Sequence, residues 1–213
     1  LDDKRLSSWN ALMITALAEA GAALGEPRYL DAAAQCAEFV LGSMRDHGSA
    51  LAGERGRLLR TYNDGHAKID AFLEDHALMV EALIALFEAS CEERWLAQAN
   101  TLAREMIARF ADGEHGGFFS TAADGEPLLT RRKDLEDSPI PSGSSSAAVG
   151  LLRLAQLTGE REYERHALGA IALAAEIAPR HPTAFAHMLQ AMHWRLAPAR
   201  PLACAVPGAS AKG

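Results

Sequence analysis

Three stretches of the chain carry apolar residues at helical spacing: Leu12-Met13-Ile14-Thr15-Ala16-Leu17, Leu78-Met79-Val80-Glu81-Ala82-Leu83 and Val149-Gly150-Leu151-Leu152-Arg153-Leu154. Each has the period expected of a helix packed against a core. Each then runs into a short turn, at Gly25-Glu26-Pro27, Cys91-Glu92-Glu93 and Gly159-Glu160-Arg161. An aromatic follows every turn (Tyr29, Trp95, Tyr163), and four residues later comes an alanine (Ala33, Ala99, Ala167). The aromatics stand 66 and 68 residues apart, so the chain reads as three copies of a helix–turn–helix unit. Residues four apart share a helix face, so the ring closes the turn while the alanine lets two helices approach. Helices are expected over Ser7–Leu24, Pro27–Met44, Phe72–Ser90, Glu92–Phe110, Ser142–Thr158, Glu160–Ala178 and Pro182–Leu196. Pro27 and Pro182 suit the first helical turn, where a missing N–H costs little.

Two long linkers interrupt this pattern. Residues 46–70 contain Leu58-Leu59-Arg60-Thr61-Tyr62 running into Asn63-Asp64-Gly65, which predicts a β-hairpin. Residues 112–141 contain Gly116-Gly117-Phe118-Phe119 and later Leu128-Leu129, and a second hairpin is expected there. After Ala197 the pattern fades into a Pro- and Ala-rich tail, read as a loose end or the start of a further element. The expected fold class is all-α: three helical hairpins and a further helix over residues 1–196, with short β-hairpins in the long loops.

Composition narrows the function classes. With 49% apolar and 23% charged residues the chain is of ordinary globular type. Its net charge of −7, from 21 basic and 28 acidic residues, argues against a broad nucleic-acid surface. The longest apolar runs fall far short of the ~18 residues of a membrane-spanning helix. Cys36, Cys91 and Cys204 form no disulfide framework or metal-ligand spacing, which fits a reducing, cytoplasmic setting. Phosphate-loop, dinucleotide, zinc-protease and nucleophile-elbow motifs are absent. No metal and no cofactor is expected.

The repeat itself suggests where chemistry sits. Twenty residues before each anchor aromatic lie Trp9, Asp75 and Gly143, each at the start of the first helix of its hairpin. If the hairpins stack in a common orientation, those starts meet at one end. Polar clusters gather there: Asp2-Asp3-Lys4-Arg5 with Trp9-Asn10, then Glu74-Asp75-His76, then Asp137-Ser138 with Ser142-Gly143-Ser144. Helix N-termini favour polar or anionic ligands at such an end. Each residue also has a plainer role: acids complement the helix dipole, Trp9 fills a core, His76 satisfies a buried acceptor, and Arg132 pairs with Asp134 or Asp137.

These residues carry a family resemblance. Asp2-Asp3-Lys4-Arg5-Leu6-Ser7-Ser8-Trp9-Asn10-Ala11-Leu12-Met13 resembles the D-x-K-x-x-x-x-W-N-x-L-M segment of the YyaL-type, spermatogenesis-associated thioredoxin-domain family. Phe72-Leu73-Glu74-Asp75, Trp95-Leu96, Phe110-Ala111-Asp112 with Gly116-Gly117-Phe118-Phe119, Arg132-Lys133-Asp134 with Asp137, and Pro141-Ser142-Gly143 follow in collinear order. The resemblance implies an α/α toroid, similar to six-hairpin glycosidases and N-acylglucosamine 2-epimerases, that follows a thioredoxin-like domain in the longer protein. It implies a carbohydrate-type pocket built from Asp3, Lys4, Trp9, Asn10, Glu74, Asp75, Arg132, Asp137, Ser142 and Gly143. The chain departs from the family pattern at His76, Ser144 and Ser138-Pro139, where Tyr, Asn and Gly-Ala are usual.

The function expected on these grounds is hydrolysis or epimerisation of a sugar-like substrate by carboxylate acid/base chemistry. Asp75 would be the general acid or base with Asp3 or Asp137 as its partner, and His76 would add a second proton-transfer group for epimerisation. Lys4, Trp9, Asn10, Glu74, Arg132, Ser142 and Gly143 would bind the substrate. A toroid that only binds a ligand or partner and presents it to the thioredoxin-like domain is the alternative. At about 67 residues per repeat a six-hairpin ring takes about 400 residues. This chain is therefore expected to hold half a ring, whose open apolar flank must be covered by further sequence, by rearranged packing or by another copy of the chain.

Overall fold

A computed structural model describes residues 3–46 and 56–197. The tail beyond 197, and with it the expected loose end, lies outside the described residues, as does 47–55 of the first long linker. The elements in order are β1 (Arg5–Leu6), α1 (Ser7–Leu24), α2 (Pro27–Ser43), β2 (Arg45–Asp46), β3 (Arg57–Asn63), β4 (His66–Asp70), α3 (Leu73–Ser90), α4 (Glu93–Phe110), α5 (Gly143–Thr158), α6 (Arg161–Ala174), a 3₁₀ turn (Pro182–Ala184) and α7 (Ala186–Leu196). α1, α3, α5 and α7 pack side by side as an inner layer, and α2, α4 and α6 each lie outside on their own hairpin partner. This is part of an α/α toroid, with α3 at its centre. From Asp75 to Leu86 every residue of α3 is buried.

The repeat accounts for the packing. Trp95 and Tyr163 are almost fully buried, and Ala33, Ala99 and Ala167 are completely so. Small residues at these positions let each outer helix approach its inner partner. All three hairpin turns end the inner helix with a left-handed residue: Gly25 at φ 64°, Cys91 at φ 57° and Gly159 at φ 75°. Glycine adopts this conformation without penalty, and Cys91 does not.

The first linker forms the expected hairpin. β3 and β4 pair from Leu59↔Asp70 to Asn63↔His66, around Asp64 and Gly65 at φ 49° and 78°. Two consecutive left-handed residues make the turn that matches strand twist. The opposite edge of β3 takes β1 and β2. The second linker differs from expectation: among its described residues there is one isolated bridge, Ala111↔Phe118, and no strand. Gly116 and Gly117 are both left-handed and fold the chain back onto α6. A side chain on Gly117 would strike Leu173 at 2.5 Å, and Gly116 lies against Gly169. Asp112 accepts from the amides of Glu114 and His115 and pairs with Lys133 at 2.8 Å. Side-chain bonds thus take the place of a strand ladder. The last two helices are also shorter than expected. α6 ends at Ala174 in a run of turns, and Phe185 divides the final segment into a 3₁₀ turn and α7.

Relieving the left-handed strain at Cys91 should stabilise the fold. Cys91→Gly is expected to raise the unfolding free energy by about 0.5–1 kcal/mol, measured by urea denaturation under reducing conditions.

Candidate functional site

The N-terminal ends of α3 and α5 open onto a cleft of about 1000 Å³. Phe72, Leu73 and Glu74 line it from the α3 side, and Ile140–Gly143 from the α5 side. Arg60 of β3 enters from the hairpin, and residues of the 120–138 loop close the remaining wall. The positive ends of two helix dipoles therefore lie at one polar cleft.

Arg60 organises one wall. Its Nη1 donates to Glu74 Oε1 at 2.6 Å and to Asp75 Oδ2 at 2.8 Å, and its guanidinium lies 4.9 Å from the centre of the Phe72 ring. Burial works against the Arg60 cation, but Asp75 and Glu74 outweigh it and hold its pKa above the ordinary value. Asp75 is 0% exposed. Its Oδ1 accepts from the Ser8 amide at 3.1 Å and its Oδ2 from the Phe72 amide at 3.0 Å. Asp75 thus lies beneath the cleft, where it caps α3 and fastens α1 to it.

Asp137 does the corresponding work at the other wall. Its Oδ1 accepts from the Ser142 amide at 2.9 Å and the Ser145 hydroxyl at 2.6 Å, and its Oδ2 from the His187 amide at 2.8 Å. Ser142 caps α5 by accepting from the Ser145 amide. Gly143 is set by packing: a Cβ there would lie 2.9 Å from the Glu74 amide nitrogen and from Leu73 Cγ. His187 Nε2 stands 3.1 and 3.2 Å from the two oxygens of buried Glu81, joining α7 to α3. Burial pushes the His187 pKa down, while Glu81 and Asp137 more than reverse this and raise it above 6.5.

Of the residues expected at the site, Glu74, Asp137, Arg132, Ser142 and Gly143 line the cleft. Arg132 is on its rim, largely exposed and paired with Asp134 at 3.1 Å. The others are elsewhere. His76 is fully buried behind α3, with Nδ1 3.1 Å from the Phe72 carbonyl oxygen and Nε2 3.3 Å from Glu105 Oε1. Asn10 holds the start of α1: its Nδ2 donates to the Leu6 carbonyl, and its Oδ1 accepts from the Cys36 thiol. Asp3, Lys4 and Trp9 are exposed and do not line the cleft. The repeat explains Trp9. Position 75 contacts the start of α1 and position 143 the start of α3, so position 9 faces outward, past the edge of the inner layer.

Sequence reasoning passed over Arg60, Phe72, Glu136 and His187. Arg60 carries no motif and gains its place from the hairpin, while Phe72 stands in the Phe72-Leu73-Glu74-Asp75 segment, where the two acids alone suggested chemistry. Glu136 is an exposed cleft carboxylate with no hydrogen-bond or ion-pair partner among the described residues. No group of three or more His, Cys, Asp or Glu among the described residues is arranged to hold a metal, and no described helix is long and apolar enough to cross a membrane.

Two predictions test this geometry. Asp75→Ala leaves the Arg60 cation and two amides without their buried acceptor, so a loss of about 3–5 kcal/mol is expected in urea unfolding. The raised His187 pKa means that the folded state keeps this proton where the unfolded chain releases it. The stabilisation is therefore full below pH 6.5 and is lost as pH rises through the folded pKa. Glu81→Gln should abolish that part of the stability decline, seen by comparing urea midpoints with the parent chain between about pH 6 and pH 9.

No protein-family model matches the chain. Among curated proteins it is 35% identical over 201 residues to spermatogenesis-associated protein 20 of Homo sapiens, a match covering 90% of this chain and 25% of that protein. The chain thus spans about a quarter of the length of the curated relatives it matches. Among solved structures, the cellobiose 2-epimerase of Spirochaeta thermophila superposes with a TM-score of 0.64 at 20% identity, covering 83% of this chain and 44% of that one. A glycoside hydrolase family 76 alpha-mannanase of Bacteroides thetaiotaomicron gives a TM-score of 0.70 at 14% identity, covering 90% and 52%. At these identities the structural likeness concerns architecture. The chain is thus homologous to a stretch of spermatogenesis-associated protein 20 and folds as part of an α/α toroid of the kind found in six-hairpin glycosidases and cellobiose 2-epimerases.

Proposed function

We propose that the cleft binds a sugar-like substrate and hydrolyses or epimerises it by carboxylate acid/base chemistry. The observation that carries this reading is the grouping of Glu74, Glu136 and Asp137 around one open cleft, beside a guanidinium stacked on an aromatic ring. Phe72 offers an apolar face to a sugar ring, and the Arg60 N–H groups not used by Glu74 and Asp75 can donate to its hydroxyls. Glu136 is the proton-transfer group, and Glu74, fixed by Arg60, is its partner. Asp75 and Asp137 act as positioning residues because their oxygens are committed to structural donors. The sugar-processing activities named for the solved toroids support the substrate class.

The full engagement of Asp75 and Asp137 favours a second reading, in which the cleft binds a sugar-like ligand without turning it over and presents it to a thioredoxin-like domain of a longer protein. A panel of disaccharides and manno-oligosaccharides separates the two. Catalysis predicts turnover that falls about 10²-fold or more in Glu136→Gln and Glu74→Gln. Binding without turnover, lost in Phe72→Ala, fits the second reading. Neither turnover nor binding by any sugar overturns both.

A further inference from the structure

His76 stands one turn after Phe72 and is 0% exposed. Its Nδ1 lies 3.1 Å from the Phe72 carbonyl oxygen and its Nε2 3.3 Å from Glu105 Oε1 of α4. A carbonyl oxygen only accepts, so Nδ1 carries hydrogen. Glu105 also faces Arg45 at 3.4 Å and Arg109 at 3.9 Å. Burial disfavours its charge, but His76, Arg45 and Arg109 outweigh that and hold its pKa below the ordinary value. Glu105 is therefore a carboxylate, an acceptor only, and Nε2 must donate to it. The ring thus carries hydrogen on both nitrogens. The other charges near it are engaged: Arg109 with Asp70 and Asp124, and Asp75, its neighbour on α3, with Arg60 and the amides of Ser8 and Phe72. The Phe110 ring packs beside it, 5.0 Å away between centres.

We infer that His76 is a positioning residue of the cleft: the hydrogen on Nδ1 fixes the Phe72 carbonyl from behind, and with it the Phe72 ring that lines the cleft. The inference rests on the reading of Phe72 as the apolar face offered to a sugar. His76 itself touches no reacting atom. Loss of one proton forces a choice on the ring. Hydrogen kept on Nε2 satisfies the charged acceptor, and charge-assisted bonds are about twice as strong as neutral ones. Nδ1 then turns a lone pair toward the Phe72 carbonyl oxygen, and the two acceptors repel. That carbonyl keeps only the amides of Asp75 and His76, at 3.2 and 3.4 Å, so the start of α3 yields before the Glu105 contact does. The same displacement moves the aromatic face that lies 4.9 Å from the Arg60 guanidinium.

Two-bond proton–nitrogen NMR spectra of the 213-residue chain at about pH 7 should show hydrogen on both nitrogens of His76, its signal assigned by loss in His76→Phe. Between about pH 7 and about pH 10, the Phe72 carbonyl carbon should move upfield, as a carbonyl does on losing a donor, along the same curve as the ring. His76→Phe, which keeps a ring and no donor, should place that carbon upfield at every pH. In Glu105→Gln the amide can donate to Nε2, so a neutral ring serves both sides. That variant should show one hydrogen on His76, on Nδ1, and a Phe72 carbon that no longer responds to pH. A sugar that binds the cleft should bind several-fold more weakly at the alkaline end in the parent chain and not in Glu105→Gln. A cleft that binds no sugar overturns the proposed function, while the spectra still decide the role of His76. One hydrogen on the parent ring at about pH 7, a Phe72 carbon unmoved both by the ring titration and by His76→Phe, or an equal pH response in Glu105→Gln would each overturn the inference.

Discussion

Asp75 has no contact with solvent, yet its carboxylate receives the amide of Ser8, the amide of Phe72 and the guanidinium of Arg60. Those donors belong to the start of α1, the start of α3 and the hairpin strand β3. A buried charge is tolerable only when its lone pairs are occupied, and charge-assisted hydrogen bonds of this type contribute about 1.5–3 kcal/mol each. The placement of α1 against α3, the angle at which the hairpin enters and the position of Arg60 in the cleft all depend on this acceptor. Asp137 repeats the arrangement one hairpin later, joining the loop before α5 to the starts of α5 and α7. The cleft exists because two committed carboxylates hold its walls in place.

This division of labour separates holding from reacting. The oxygens of Asp75 and Asp137 are committed to structural donors, and beside each in sequence stands a second acid that lines the cleft: Glu74 beside Asp75, and Glu136 beside Asp137. In each pair one acid anchors the backbone and thereby aims the other. Arg60 links the two functions at the α3 wall, since one of its nitrogens serves both Glu74 and Asp75. A second polar cluster behind α3 is structural throughout. There Glu105 faces His76, Arg45 and Arg109; burial disfavours its charge, but these partners hold its pKa below the ordinary value.

Much of this was legible in the residues. Helix starts and stops followed from apolar period, proline placement and turn residues, because inner helices must bury one face whatever surrounds them. The hairpin at 57–70 followed from Asn63-Asp64-Gly65, whose two left-handed residues suit few other conformations. The second linker was misread because paired glycines and aromatics suit a strand as well as a folded loop. The decision fell to Asp112, Lys133 and the contact of Gly116 with Gly169. The end at which the polar clusters gather was visible in the repeat. Which members face the cleft was not: Trp9, Asp75 and Gly143 share one repeat position, yet of the three Gly143 alone lines the cleft.

The sequence by itself determined the number, order and approximate limits of the helices. Those follow from local periodicity and turn chemistry, which operate over a few residues at a time. Only the tertiary structure decided that Asp75 and His76 are interior and that Arg60 and Phe72 reach the cleft. Burial and hydrogen-bond saturation arise from residues brought together across 50 or more positions, as when Ser7 of α1 donates to the carbonyl of Leu59 in β3. No local pattern encodes which of two adjacent acids will find three buried donors and which will be left to face solvent.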